Sequence, residues 1–277
     1  MLPQQSGSTA PPEVGGRRVP RLGILLSGRG SNLLALHAAI VRGELPAAVG
    51  LVVSNVPEAP GLARARDLGL PAVAIPHRGE PGRAAHEQKV LEALREAAVD
   101  WVCLAGYMRL LSPAFIAAFA RRIVNIHPSL LPAFPGLEAQ AQALAHGVRI
   151  AGCTVHLVDE SLDGGPIVVQ RAVPVLEDDT VRILSERILE QEHAAYPEAL
   201  RRLLTESWRI EERRLVFPAS ATPPPGPARG TVGCGHRGDP GDSRAGQSVN
   251  SPGERGADPG QGGFARNNPA AAAVRLG

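Results

Sequence analysis

Three short stretches of this chain combine residue types and spacings that could do chemistry. In RIVNIHPSLLP (122–132) an apolar strand runs out into Asn125 and His127. On an extended segment, residues two apart project from the same face, and Pro128 and Pro132 restrict how the following loop relaxes. An amide and an imidazole would therefore share one rim, either as a catalytic pair or as satisfied structural groups. In SGRGSN (27–32) a strand passes through a glycine turn into a helix, which turns backbone N–H groups outward at a helix N-terminus and makes an anion site. Position 33 is Leu where a dinucleotide motif has its third glycine, and no Gly-Lys-Ser/Thr follows, so a single phosphate fits better than a nucleotide. The competing reading is that Gly28 and Gly30 only permit a tight turn while Ser31 caps the helix. In LDGGP (162–166), Asp163 offers a carboxylate, although Asp-Gly is also a strong turn signal and turn chemistry alone would account for it.

The elements that must position these groups follow from periodicity. Short apolar runs (LGILLS, AVGLVVS, AVAI, WVCLAG, RIVNI) alternate with helical stretches (SNLLALHAAIVRG, GLARARDLG, RAAHEQKVLEALREAA, PAFIAAFARR). This order predicts an α/β fold: a Rossmann-like, mostly parallel sheet with helices on both faces. After Pro135 two longer strands, GCTVHLVD and PIVVQRAVPV, predict an antiparallel edge hairpin, and an amphipathic helix over about 180–204 closes the fold. In open sheets of this kind ligands collect outside the carboxyl ends of the strands, and all three polar stretches sit just after a strand.

Composition bounds the rest. A formal charge of +2 and an apolar fraction of 44% over 277 residues suit one domain of roughly 200 residues and imply no nucleic-acid partner. No apolar run approaches the roughly 20 residues that cross a bilayer, and the first 19 residues lack the apolar centre of a secretory signal, so no membrane association and a cytoplasmic location are expected. Three separated cysteines without a CxxC pair argue against a disulfide framework or zinc site. Residues 218–277 hold 22 Gly or Pro and only five Leu, Ile, Val or Phe, too little apolar surface to offset ordering entropy. The expectation is a flexible extension over 1–19, a catalytic domain over 20–217 and a disordered Pro/Gly-rich tail over 218–277.

Four strings in order, SGRGSNL, LAGYMRLLS, NIHPSLLPAFPG and VHLVDESLDGGPIVVQ, closely resemble the phosphoribosylglycinamide formyltransferases, folate-dependent enzymes of purine synthesis. The likeness covers about 21–204. It implies transfer of a formyl group from 10-formyltetrahydrofolate, as co-substrate, to the amine of 5-phosphoribosylglycinamide. It implies Asn125, His127 and Asp163 as the catalytic set, and a ribonucleotide held by Gly30, Ser31 and Asn32 through its phosphate and by Glu192. It places the folate along Met108, Arg109, Leu110 and Leu111 and the loop Asp159, Glu160, Ser161, Leu162 and Asp163, beside Asn125, with Arg83 and Arg109 available to its glutamate tail. The residue chemistry agrees: an amide and an imidazolium can face the oxyanion of a tetrahedral intermediate while a carboxylate holds the imidazolium and relays the amine proton. No acyl-enzyme, metal or ATP is required, and the partners are small molecules, with a monomer or homodimer expected.

Two departures stand out against that pattern: Glu138 where relatives often have histidine, and Leu189 where a longer polar side chain is common. His37, His86 and His146 read as solvated helical residues, His156 as a packed group beside the site, and Arg121–Arg122 and Arg213–Arg214 as solvated helix ends. Two rivals use the same donor. A methionyl-tRNA formyltransferase is expected to carry a second, basic C-terminal β-domain and a formyltetrahydrofolate deformylase an extra N-terminal domain, and neither is expected from the composition at the two ends. A non-catalytic sugar-phosphate binder would need only the glycine loop.

Overall fold

The structure, a computed structural model, describes residues 13–14 and 17–218, so the expected extension and tail lie almost wholly outside the described residues. Strands β1 (Glu13–Val14) and β2 (Arg17–Arg18) pair with each other alone. The parallel part of the main sheet comprises β3 (Arg21–Leu26), β4 (Ala48–Ser54), β5 (Ala72–Ala74), β6 (Trp101–Leu104) and β7 (Ile123–His127). Helices α1 (Ser31–Val41), α2 (Pro60–Asp67), α3 (Arg83–Glu96) and α4 (Pro113–Ala118) connect these strands. There follow α5 (Ala139–Ala145), β8 (Ile150–Leu157), β9 (Ile167–Pro174), α6 (Val181–Thr205), β10 (Arg209–Glu211) and β11 (Arg214–Val216). The nine strands lie in the order β10-β11-β9-β8-β7-β6-β3-β4-β5, with β8 and β9 antiparallel.

Alternation along the strands assigns the faces. Leu22, Ile24 and Leu26 of β3, Cys103 of β6 and Val124 of β7 pack with Leu33 and Leu36 of α1, Leu62 of α2 and Ile188, Tyr196 and Leu200 of α6. Leu25, Val102 and Ile123 point the other way, onto Val90 and Leu94 of α3 and Phe115 beside them. This period of two, buried on both faces, is why the strands read as nearly continuous apolar runs. Each fully buried Leu or Ile contributes about 1.5–3 kcal/mol, so the two layers hold the strand ends rigid. Asn125 and His127 share the parity of Ile123, on the α3–α4 side, one turn of pleat beyond the apolar layer.

Two sequence expectations are corrected. His86 is 1% exposed, because the face of α3 it occupies packs on the end of the sheet, where its Nε2–H donates to the Ile75 carbonyl at 2.9 Å. Arg213–Arg214 is not a helix end: Arg213 lies in the turn joining β10 to β11, and Arg214 opens β11, paired with Glu211 and Ile167. The two strands are only three residues each, RIE and RLV, too short a pattern to register as a hairpin.

Candidate active site

At the end of β3, the glycine turn is built by close backbone packing. Gly30 is the N-cap of α1 at φ 73°, and a Cβ there would stand 2.6 Å from the Cα of Gly61. Gly61, at the start of α2, donates its N–H to the Gly28 carbonyl at 2.9 Å, and Arg64 of the same helix donates to the carbonyl of residue 29 at 2.8 Å. Only glycine fits at both contact points. No side chain caps α1, so Ser31 does not play the capping role that the competing reading gave it; α4 and α6, by contrast, are capped by Ser112 and Thr180. The first turn of α1 holds no acid, leaving its N–H groups and the positive end of its dipole open to an anion.

One residue further in, Asn32 is 7% exposed and donates from Nδ2 to Glu192 Oε2 at 2.7 Å across to α6, while its Oδ1 has no partner among the described residues. Burial pushes the Glu192 carboxyl above its usual range, against the pull of the Asn32 hydrogen bond and the Arg29 charge. Four residues along α6, the Tyr196 hydroxyl lies 3.1 Å from the Leu104 carbonyl and 3.0 Å from that of Val124. The same helix thus braces the glycine loop and strands β6 and β7, the second of which carries Asn125.

Asn125, His127 and Asp163 converge. The Asp163 carboxylate accepts the Gly136 N–H at 2.8 Å through Oδ2, which also lies 3.4 Å from His127 Nδ1; its Oδ1 lies 3.5 Å from Asn125 Nδ2 and 3.8 Å from His156 Nε2. His127 is 5% exposed and its Nε2 faces the Phe134 carbonyl at 2.8 Å, so that nitrogen must carry a hydrogen. A neutral ring would then set the bare Nδ1 against a carboxylate, whereas an imidazolium pairs with it. His156 settles the amide. Its Nδ1 donates to the Leu157 carbonyl at 3.0 Å, leaving Nε2 as an acceptor 3.1 Å from Asn125 Nδ2, and burial holds this imidazole below the ordinary histidine range, hence neutral. The NH₂ end of Asn125 therefore points at His156, and its second hydrogen faces Asp163 at the limit of hydrogen-bonding distance, free for a better acceptor.

Asp163 sits at φ 49°, in a nine-residue connection from Leu157 to Ile167 rather than a two-residue turn. Its carboxylate reaches across to a different loop, which turn chemistry does not require.

The loops that the sequence singled out carry exposed apolar side chains. Met108 and Leu110 are each 63% exposed, and Leu111 packs against the α3–α4 apolar layer. Their loop is held at one end by the Met108 N–H donating to Ser27 Oγ at 2.9 Å, and at the other by Ser112, whose N–H and hydroxyl donate to the buried Glu87. Leu162, 56% exposed, approaches Gly136, and Leu137 beside it is 65% exposed. Asp159 accepts from both the N–H and the hydroxyl of Ser161, and Glu160 is exposed. Arg83 is exposed at the start of α3 and Arg109 half-buried, neither in an ion pair among the described residues. Glu138 is the exposed N-cap of α5 at φ 56°, outside the trio, and Leu189 is half-buried on α6. Sequence reasoning missed Ser27, Glu87, Phe134 and Gly136, whose parts are played by backbone groups or by ordinary-looking polar residues.

Among the described residues no group of three or more His, Cys, Asp or Glu side chains is arranged to hold a metal ion, and no helix is long and apolar enough to cross a membrane.

Comparison with known proteins adds to this geometry. A family model described as formyl transferase matches residues 21–200. Phosphoribosylglycinamide formyltransferase of Bacillus subtilis is 40% identical over 184 residues, which are 66% of this chain and 94% of that protein. The trifunctional purine biosynthetic protein adenosine-3 of Drosophila melanogaster is 47% identical over 190 residues, 68% of this chain, and the chain spans only 14% of that longer protein. The crystal structure of glycinamide ribonucleotide transformylase 1 from Symbiobacterium toebii superposes with a TM-score of 0.72 at 48% identity, over 76% of this chain and 99% of that one.

Proposed function

Since the chain belongs to the formyl transferase family, among the phosphoribosylglycinamide formyltransferases, we propose that it moves a formyl group from 10-formyltetrahydrofolate to the amine of 5-phosphoribosylglycinamide. The products are formylglycinamide ribonucleotide and tetrahydrofolate, in de novo purine synthesis. The observation that carries this reading is the convergence of Asn125 and His127 on Asp163, whose carboxylate lies 3.5 Å from the amide and 3.4 Å from the imidazole, in a chain that also carries an uncapped helix N-terminus after β3.

In this reading the ribonucleotide phosphate lies on the N–H groups of Gly30, Ser31 and Asn32, and Glu192 takes a sugar hydroxyl. The folate lies along 108–111 and 159–163, its glutamate tail toward Arg83 and Arg109. The amine attacks the formyl carbon, a C–N bond forms, and the carbonyl electrons move to oxygen. The free hydrogen of Asn125 and the Nδ1–H of His127 receive that oxyanion; loss of one such donor typically lowers turnover by about 10²–10³. Asp163 holds the imidazolium and takes the proton released by the attacking nitrogen, directly or through one water. Collapse of the intermediate reforms the carbonyl and expels the folate nitrogen, which leaves with the proton that Asp163 took up. No step needs a protein nucleophile, and burial pushes the Cys103 and Cys153 thiols up to about 12, so neither supplies a thiolate near neutral pH. The donor is already an activated amide and the acceptor a free amine, so neither ATP nor a metal enters the proposed step. The enzyme acts on small molecules in the cytoplasm, as a monomer or homodimer.

The test offers 10-formyltetrahydrofolate to the purified chain with phosphoribosylglycinamide, with initiator methionyl-tRNA, or with water alone. Formyl loss matched by formylated ribonucleotide is expected only with the first. Formate release at the same rate without an amine would overturn the proposal.

A further inference from the structure

The short hairpin β10–β11 follows the segment matched by the family model and reaches back to the loop that carries Asp163. Arg213, in its turn, donates from a guanidinium nitrogen to the Gly164 carbonyl at 2.8 Å, and Arg214 pairs with Ile167, the first residue of β9. The hairpin is itself well anchored. Trp208 donates from Nε1 to the Leu203 carbonyl at 3.1 Å and meets Trp101 edge-on at 6.5 Å, and the Arg202 guanidinium stacks 3.7 Å over Phe217. Ile210, Leu215 and Phe217 pack against the main core.

What it holds is the pliable point of the site. Asp163 stands in the left-handed region at φ 49°, and the two glycines after it offer little resistance of their own to rotation. Gly165 is pressed against β8, where a Cβ would collide with the Leu157 carbonyl, but Gly164 is held within its own loop only by a 3.4 Å bond from its N–H to Ser161. The contact from Arg213 fixes the peptide plane between them.

We propose that Arg213 is a positioning residue: the C-terminal hairpin clamps the Gly164 peptide and thereby holds the Asp163 carboxylate against His127 Nδ1 and the Gly136 N–H. It touches neither substrate. This assignment rests on the formyl-transfer reading for its kinetic consequence, though not for its structural one.

The experiment uses the full chain and the variants Arg213→Ala and Arg213→Lys, with amide hydrogen exchange over 158–166 measured alongside steady-state kinetics. Arg213→Ala is expected to speed exchange at Gly164 and Gly165 and to lower kcat about 3- to 10-fold, the range that loss of one solvent-exposed hydrogen bond allows. KM for the ribonucleotide should stay within about twofold, because no contact of Arg213 reaches the glycine loop, and Arg213→Lys should recover most of the loss. Unchanged exchange in the loop overturns the clamp, as does a kcat loss that Lys does not rescue and that parallels a fall in melting temperature. If the unmodified chain transfers no formyl group, the functional reading fails while exchange in the loop still decides the clamp.

Discussion

Replacing Asp163 with Asn removes one charge and changes little else. Asparagine is the non-glycine residue most at ease near φ +50°, so the backbone value of 49° is kept, and an amide oxygen can still accept the Gly136 N–H. What disappears is the pairing with His127 across 3.4 Å. At an effective dielectric of about 20, two unit charges at that distance attract by about 5 kcal/mol. The remaining amide dipole recovers part of this, leaving about 3–4 kcal/mol, or 10²–10³ in kcat at about 1.4 kcal/mol per decade. The assay is formyl transfer to phosphoribosylglycinamide at saturating donor, with the melting curve of each protein recorded in parallel. A variant whose kcat stays within about threefold of the parent while melting alike would refute the reasoning and return Asp163 to turn chemistry.

Other outcomes follow from the same contacts. His156→Ala removes the acceptor that orients the NH₂ end of Asn125; leaving that buried group unpaired costs about 1–3 kcal/mol, so kcat should fall roughly 5- to 150-fold, and full activity in that variant would break the link. Gly61→Ala puts a Cβ 2.9 Å from both the Gly28 carbonyl and the Gly30 Cα, so ribonucleotide KM should rise at least about tenfold with a smaller change in kcat, and an unaltered KM would detach α2 from phosphate binding. Burial lowers the pKa of His86, His156 and His193, so the unfolded chain binds more protons below about pH 6.5 and stability should decline as pH falls through that point. Glu192, raised by burial, opposes this above its ordinary carboxylate range, so Glu192→Gln should steepen the decline in the denaturant midpoint as pH falls from about 6.5 toward 4.5.

The parallel sheet was legible because strands buried on both faces spell themselves out as apolar runs, and glycine and proline mark their ends. Asn125 and His127 were legible because strand parity and two prolines leave them only one face. The environment of the trio was not: Gly136, which donates to Asp163, and Phe134, whose carbonyl accepts from His127, contribute backbone groups, which leave no signature in side-chain type. His86 was misread because a single polar residue on an amphipathic helix looks solvated until the packing partner is known. The β10–β11 hairpin escaped notice because each strand is three residues long and joined to the sheet largely through one bridge at Arg214.

The central claim, that three loops and a helix end assemble one carbonyl site beside one phosphate site, is tested most directly by a crystal structure. The complex would hold the chain, phosphoribosylglycinamide and a folate bearing a non-transferable carbonyl at the formyl position. The account predicts phosphate oxygens on the N–H groups of Gly30, Ser31 and Asn32, and the carbonyl oxygen within about 3.2 Å of Asn125 Nδ2 and His127 Nδ1. A phosphate bound away from the start of α1, or a carbonyl outside hydrogen-bond reach of both donors, would contradict it.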